Sequence, residues 1–327
     1  MTTRATSTQS PGFTLNVRMA GFGHYQPSRV VTNDDIAAIV DTNDEWIRQR
    51  VGIRERRFAE TETVADMAAF AARDALNRTE VPASAVDLVI VATCTNVDRS
   101  PNTAGRVAEM LGLSGATVFD VNAACSGFVH AFALATQVIA TGAASTALVI
   151  GSERLSDVTD WSDRSTSVLI ADGAGAVILR ASATGGVSRV VWGSAPGLSN
   201  AVRIERPSEK FSQDGSAVLR WAITEAAGHA RSAIEAAGLT PEDIGVFVPH
   251  QANLRIIDPL VEQLGFTETV IARDIEESGN TSAASIPLAL SKLASRGELP
   301  PSTPVLFFGF GGGFSYAGIV ALSPEAR

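Results

Sequence analysis

Three short stretches of small residues each carry one reactive polar side chain: Cys125 in Asn-Ala-Ala-Cys-Ser-Gly (122–127), His250 in His-Gln-Ala-Asn (250–253) and Asn280 in Gly-Asn-Thr-Ser (279–282). A thiol, an imidazole and a carboxamide on Gly/Ala/Ser-rich turns are the parts that thioester chemistry needs. The thiol is a nucleophile, and the imidazole donates or exchanges a proton. The amide can meet a developing enolate oxygen without the repulsion a carboxylate would bring. Each residue also has a plainer use, as a small buried thiol, a strand-end histidine, or a turn or cap asparagine. Together they point to a covalent acyl-transfer enzyme.

Position sharpens these roles. Cys125 follows the apolar run 117–121 and precedes a helical run over 126–141, so its sulfur is expected at a helix N-terminus, where the macrodipole and free N–H groups favour thiolate. Cys94, at the end of the apolar run 87–93, is expected to be a small core thiol. His250 ends a strand, whereas His24, His130 and His229 have no comparable setting. The last glycine loop, 309–314 (Gly-Phe-Gly-Gly-Gly-Phe), lacks the Lys-Ser/Thr of a phosphate loop, but a tight glycine turn can aim a backbone N–H at an oxyanion. Asp172-Gly173-Ala174-Gly175 is expected to be a packing turn before a strand over 176–179.

These residues must be positioned by a long-range repeat. Residues 68–76 are helical in pattern, followed by Val81-Pro82, a polar turn and the apolar run 87–93. Residues 227–237 repeat the helix, followed by Thr240-Pro241, a polar turn and the run 245–249. Helix ends closed by Gly112 and Gly265 follow, then strands over 117–121 and 270–275, one leading to the cysteine and the other to the asparagine. Each half closes on an apolar strand, 147–151 and 305–309. Continuous apolar strands imply sheets covered on both faces. The small residues of 131–142 and 283–293 suit helices buried between two such sheets. The expectation is an α/β fold, a five-layered α/β/α/β/α sandwich of two pseudo-twofold related halves, 15–185 and 186–327, with 1–14 a flexible tail. Cys125 and Asn280 are expected at corresponding turns.

At 327 residues, 45% apolar and 19% charged, the chain can bury a sizeable core. A net charge of −9 disfavours nucleic acid as a partner. Arg48, Arg50, Arg54, Arg56 and Arg57 crowd one stretch, either as a solvated charged face or as a seat for an acidic partner. Two cysteines without metal-ligand spacing suit a reducing cytoplasm, and no apolar run marks a membrane span or signal core.

Taken together, the stretches 42–50 with 52–57, 122–128, 250–257, 279–287 and 309–314 resemble β-ketoacyl-[acyl-carrier-protein] synthase III, a thiolase-fold condensing enzyme of type II fatty acid synthesis. The resemblance runs from about residue 15 to the C-terminus. It implies that Cys125 takes an acyl group from acyl-CoA and that malonyl on acyl carrier protein then loses CO₂. The resulting enolate would be held by His250 and Asn280 while its carbon attacks the acyl-cysteine. By the same resemblance the backbone N–H groups of Cys125 and Gly312 form the oxyanion hole, and Phe310 favours loss of the malonyl carboxylate. Trp46 and Arg164 clamp the adenine of coenzyme A with Thr42, Arg50 and Asn253 nearby, and Arg255 helps receive the acidic carrier protein. A homodimer, no metal and no cofactor are implied, acyl-CoA being substrate.

One departure narrows the reading. Acetyl-selective relatives carry a bulky Phe before the proline found here as Pro101; this chain has Ser100, so primers larger than acetyl are expected. Thiolases would need a second cysteine in the last glycine loop, and hydroxymethylglutaryl-CoA synthases a catalytic glutamate for which no equivalent presents itself. Chalcone-type synthases are disfavoured by Asp44-Glu45-Trp46. The runner-up is a pathway-dedicated priming or acyltransferase relative of polyketide metabolism. A silent partner subunit would typically lack the nucleophile that Cys125 supplies.

Overall fold

Two five-stranded sheets organise the molecule, which is described here from a computed structural model covering residues 12–325. The first half runs β1 (Val17–Tyr25), β2 (Val30–Thr32), α1 (Asn33–Ala37), α2 (Asp44–Arg50) and β3 (Glu55–Arg57). It continues through α3 (Val64–Asn77), β4 (Leu88–Ala92), α4 (Thr103–Leu111), β5 (Thr117–Val121), α5 (Gly127–Ala140), β6 (Thr146–Arg154), α6 (Arg164–Ser167) and β7 (Asp172–Ala181). The second half runs β8 (Val191–Ser194), β9 (Val202–Glu205), β10 (Lys210–Gln213), α7 (Gly215–Thr224), α8 (Ala226–Ala236) and β11 (Val246–Pro249). It ends with α9 (Leu254–Leu264), β12 (Val270–Ile271), α10 (Ile275–Ser278), α11 (Ser285–Ser295), β13 (Pro304–Gly311) and β14 (Ser315–Leu322).

The sheet orders are β1-β7-β6-β4-β5 and β8-β14-β13-β11-β12, the same order strand for strand. In each sheet the first two pairs in that order are antiparallel and the last two parallel. Every residue of β4 and of β11 is buried, as strands covered on both faces require. Helices α3 and α4 pack on the outside of the first sheet, α8 on the outside of the second with α7 and α9 against it, and α5 and α11 lie between the sheets. This is the five-layered sandwich. The middle helices are apolar nearly all round, α5 burying Phe128, Val129, Phe132 and Ile139 together with four small residues. Gly151 on β6 lets the start of α11 close in, since a methyl there would lie 2.3 Å from the Ala283 carbonyl oxygen.

Helices α4 and α9 both end on left-handed glycines, Gly112 (φ 68°) and Gly265 (φ 77°), as the repeat predicts. Four details differ from the sequence expectation. The strand expected over 270–275 is only Val270–Ile271, because the chain turns into α10 at Ile275. Asp172–Gly175 is no turn but the start of β7; Gly175 sits there because the α11 backbone passes close, at Leu288. Of the tail expected over 1–14, residues 1–11 lie outside the described residues, while Phe13 is buried among Trp221, Ile234 and their neighbours. Finally, the position matching Cys125 in the second half is Ala283, not Asn280. Each lies in the middle of a 3-10 turn, Ala124–Ser126 or Ser282–Ala284, that leads directly into a middle helix.

Candidate active site

Cys125 is held by a distorted turn. Ala124 before it adopts φ 44°, in the left-handed region that non-glycine residues seldom occupy. The strain bends the chain sharply between β5 and α5. The sulfur faces Gly311 so closely that a methyl at that position would lie 2.8 Å from Sγ. Burial pushes the Cys125 thiol up to about 11, opposed by hydrogen bonding from Ser282 and from the backbone N–H groups of Gly312 and Cys125, while the Glu153 charge pushes the same way as burial. The resting nucleophile is therefore a neutral thiol rather than the thiolate expected from its place at a helix N-terminus, because desolvation outweighs the local donors.

His250 follows β11, with its N–H on the Phe308 carbonyl of β13. Its Nδ1 lies 2.7 Å from the Ser285 hydroxyl, which also accepts the Gln251 N–H at 3.3 Å. Among the described contacts that hydroxyl has no other acceptor, so it donates to Nδ1 and the ring proton sits on Nε2. Burial alone depresses His250 to about 3, so the ring stays neutral. Asn280 is fixed by its backbone, which exchanges bonds with Leu169 and Ala171 of the first half. Its Oδ1 accepts the Ser282 N–H at 2.8 Å, leaving Nδ2 free to donate. Ser285 is a functional neighbour that sequence reasoning passed over; its place in the first turn of the helix after the asparagine was the available signal.

The turn at 124–126 packs on both the turn at 282–284 and that at 312–314, so the cysteine lies between the residues that follow the asparagine and the glycine loop. Two cavities lie beside these residues. One, of about 310 Å³, is lined by Cys125, Ser282 and Gly312 with Leu155, Val202 and Phe211. The other, of about 410 Å³, is lined by Asn280, Asn253 and Arg255 with Ser165, Leu169 and Ile256. Cys125 and Asn280 thus open on different cavities. The β9–β10 hairpin borders both, with Phe211 on the first and Gln213 on the second. His250 is 4% exposed and lines neither. Phe310 is buried against Trp221, ring centroids 5.0 Å apart. Ser100 lies on the exposed stretch 96–100 and is not part of the Cys125 cavity within its own chain.

Residues 119–196 match the family model 3-oxoacyl-[acyl-carrier-protein] synthase III, and residues 234–322 match its C-terminal model. A curated relative from Streptomyces coelicolor, β-ketoacyl-[acyl-carrier-protein] synthase III 4, is 53% identical over 94% of this chain and 98% of its own. The chain belongs to the β-ketoacyl-[acyl-carrier-protein] synthase III family. A mycobacterial synthase III from Mycobacterium marinum is 42% identical over 95% of this chain and 97% of its own. Among solved structures, the priming β-ketosynthase of a polyketide biosynthetic pathway superposes with a TM-score of 0.92 at 42% identity, covering 95% and 97% of the two chains. The 3-oxoacyl-[acyl-carrier-protein] synthase III of Aquifex aeolicus gives 0.91 at 38%, covering 94% and 99%.

The coenzyme A residues of the sequence reading lie on α2 and the turn before it, on α6 and at the head of α9, and the Leu254 N–H bond to the Val51 carbonyl joins the first of these to the last. The Arg164 guanidinium lies 4.2 Å from the Trp46 ring centroid, a flat cation on an indole face, with nothing between them. Thr42 is half-buried with an unpartnered hydroxyl, and Arg50 is exposed. Asn253 caps α9, its Oδ1 accepting the Arg255 N–H at 2.9 Å, so only its amide nitrogen faces outward. The arginine run is neither a plain solvated face nor a free basic patch. Arg48 pairs with Asp44, Arg54 with Glu276 and Arg57 with Glu55. Arg56 is fully buried, bonded to Asn33 Oδ1 and the Val168 carbonyl. Arg50 and Arg255 form no ion pair among the described residues.

Cys94 also departs from expectation. It is half-buried and lines the Cys125 cavity, and its Sγ donates to Glu153 at 3.3 Å. Glu153, which the sequence gave no reason to place near the thiol, lies at the end of β6 and is fully buried.

Proposed function

We propose that the chain loads an acyl group from acyl-CoA onto Cys125 and condenses it with malonyl carried on acyl carrier protein, yielding a 3-oxoacyl carrier-protein thioester, CO₂ and free coenzyme A. This initiates chain growth in type II fatty acid synthesis. The observation that carries the reading is a division of donors. Two backbone N–H groups, of Cys125 and Gly312, bear on the sulfur, where a tetrahedral oxyanion would form. The Nε2–H of a permanently neutral His250 and the Nδ2–H of Asn280 are kept free for the enolate by Ser285 and by the Ser282 N–H. Donors fixed before charge develops stabilise the transition state more than the ground state. Removing one is worth about 3 kcal/mol.

The two cavities suit the two ends of the reaction. Leu155, Val202, Ile204 and Phe211 give the thiol cavity an apolar wall, and its volume of about 310 Å³ supports primers larger than acetyl. The cavity on the Asn280 side carries the exposed Arg255, which suits an acidic carrier protein arriving with its malonyl thioester. Phe310, held rigidly by Trp221 and Phe314, would disfavour the charged malonyl carboxylate over CO₂. Strand β5 ends its sheet with one side unpaired, the edge a homodimer would cover. Both cysteines are free and, among the described residues, no helix is long and apolar enough to cross a membrane, which fits work in the cytoplasm.

A second reading has a specific support, the likeness to the priming β-ketosynthase of a polyketide pathway: the same chemistry would then prime a polyketide carrier protein. Intact-protein mass spectrometry after incubation with mixed acyl-CoAs tests the core claim. A single acyl adduct is expected, absent in Cys125→Ala and still formed in Asn280→Ala, which in turn should fail to decarboxylate malonyl-carrier protein. An adduct that survives Cys125→Ala refutes the assignment. Carrier proteins of the two pathways, offered side by side, separate the two readings.

A further inference from the structure

Glu153 is a carboxyl group with no access to solvent, set behind the reactive thiol at the junction of the two halves. Five donors converge on it. Thr95 Oγ1 gives 2.6 Å and Thr93 Oγ1 3.1 Å; the Cys94 N–H gives 3.1 Å, Cys94 Sγ 3.3 Å and, from the second half, the Ala283 N–H 3.4 Å. Such a shell suits a carboxylate. Burial nevertheless raises its affinity for a proton above the ordinary range. The titratable groups facing it are Cys94 and Cys125. Arg154, next in sequence, turns away to Asp157 and the Glu62 carbonyl, and Asp172 on the paired strand is bound to Ser156 and Ala59. Among the described residues, no cation is set against Glu153.

Ser282 joins this carboxyl to the nucleophile. Its hydroxyl lies 3.7 Å from Cys94 Sγ, its turn packs against the turn that carries Cys125, and hydrogen bonding from it lowers the proton affinity of the Cys125 thiol and of the Glu153 carboxyl alike. It also lines the cavity that Cys125 opens on.

The loading step needs a place for one proton. His250 cannot supply it, because its Nε2 already bears a proton and its Nδ1 is engaged by Ser285, so accepting another would create a buried cation. Assuming that Cys125 is the residue loaded, as argued above, we propose that Glu153 holds the thiol proton during acyl transfer. As Cys125 Sγ forms its bond to the acyl carbon, the proton passes through the Ser282 hydroxyl to the Glu153 carboxylate. As the carbon–sulfur bond to coenzyme A breaks, it returns by the same hydroxyl to the departing sulfur. Acyl-cysteine, free coenzyme A thiol and ionised Glu153 result, and the step balances without another reactant. The advantage is electrostatic. A buried site tolerates one negative charge far better than two, and here the single charge moves from carboxylate to thiolate rather than a second one being made. Glu153 acts on Cys125 only through Ser282.

The test is the loading rate of Cys125 by rapid-quench mass spectrometry between pH 6 and 9, for the full chain and for Glu153→Gln and Ser282→Ala. Glu153→Gln should load more slowly by about a hundredfold or more. Its rate should climb about tenfold per pH unit as hydroxide takes over, where the unaltered chain is nearly flat. Ser282→Ala leaves Glu153 and its five donors in place and should show the same loss and the same slope. Loading within threefold of the unaltered chain, with a parallel pH profile, in either folded variant overturns the proposal. If Glu153→Gln fails to fold, Ser282→Ala decides alone. Absence of any Cys125 adduct in the unaltered chain overturns the loading assignment itself, and this proposal with it.

Discussion

Gly311→Ala isolates the geometry of the nucleophile with a single methyl group. Gly311 lies at the end of β13 with φ 170°, extended backbone that alanine adopts freely, so the substitution introduces no backbone strain. Its effect is steric. The new Cβ would lie 2.6 Å from Cys125 Cβ, 2.8 Å from Sγ and 3.2 Å from the Cys125 nitrogen. Optimal separations are about 3.5–4.0 Å, so the shortfall at the sulfur is about 1 Å. Neither side can yield cheaply. Cys125 is pinned in a turn already strained at Ala124, and Gly311 is held by its ladder partner Ser315 on β14. A displacement of about 1 Å at a reacting atom costs on the order of a hundredfold in rate. Overpacking of this kind costs about 1–3 kcal/mol in stability. The assay pairs the loading rate of Cys125 with urea unfolding of the same preparation. Loading at the unaltered rate, with an unchanged unfolding midpoint, would mean that the sulfur does not lie against this glycine and would refute the site geometry.

Three further outcomes follow from particular residues. Burial pushes Asp172 up to about 6 from an ordinary 3.8, against the pull of Ser156 and Ala59. The folded state then binds the proton more tightly than the unfolded chain, so this group's contribution is fully present below about pH 4 and is lost as the pH rises through 6. It amounts to on the order of 3 kcal/mol. Between pH 4 and 7.5 the unaltered chain should lose that much more unfolding free energy than Asp172→Asn; identical pH dependence refutes it. Trp46→Ala removes the face on which Arg164 stacks, and should raise the KM for acyl-CoA about tenfold while leaving the saturated loading rate unchanged. A lower saturated rate at constant KM would place Trp46 elsewhere than in coenzyme A binding. Gly228→Ala, in the first turn of α8 with no atom within 4 Å of the new methyl, should raise the urea midpoint by the equivalent of about 0.5–1 kcal/mol; a lower midpoint contradicts that assignment.

The architecture was legible because its signal is periodic. Buried strands such as β4 and β11 leave runs of β-branched residues, and Gly112 and Gly265 close helices at equal places in the two halves, so the duplication could be read without a partner sequence. What could not be read depends on contacts between distant segments. Arg56 looked like one member of a surface arginine run, and only the fold shows it capped by Asn33 and the Val168 carbonyl, more than a hundred residues away. Cys94 looked like a core thiol because its burial and its partner, Glu153, come from strands that meet only in three dimensions. Thiol ionisation was misjudged for a related reason. A helix N-terminus is visible in sequence, whereas the desolvation that opposes it is set by everything that closes over Cys125.

The duplication also explains why the site holds one nucleophile and not two. Turns 124–126 and 282–284 are copies of each other, down to a left-handed residue at the first position, φ 44° at Ala124 and 47° at Ser282. They pack together at the pseudo-twofold axis. The position matching Cys125 is Ala283, 1% exposed, with its carbonyl against Gly151 and its N–H on Glu153. A thiol there would be enclosed by protein, without access to the cavity that Cys125 opens on. The second copy therefore contributes what surrounds its turn instead. Asn280, three residues before, keeps an amide free; Ser282 reaches the thiol of the first copy; and Ser285, at the head of α11, orients the His250 ring. One turn geometry, used twice, supplies the nucleophile from one half and the donors from the other. Interchanging Cys125 and Ala283 should for this reason abolish loading rather than transfer it, and recovery of an acyl adduct at position 283 would show that the two copies are not divided in this way.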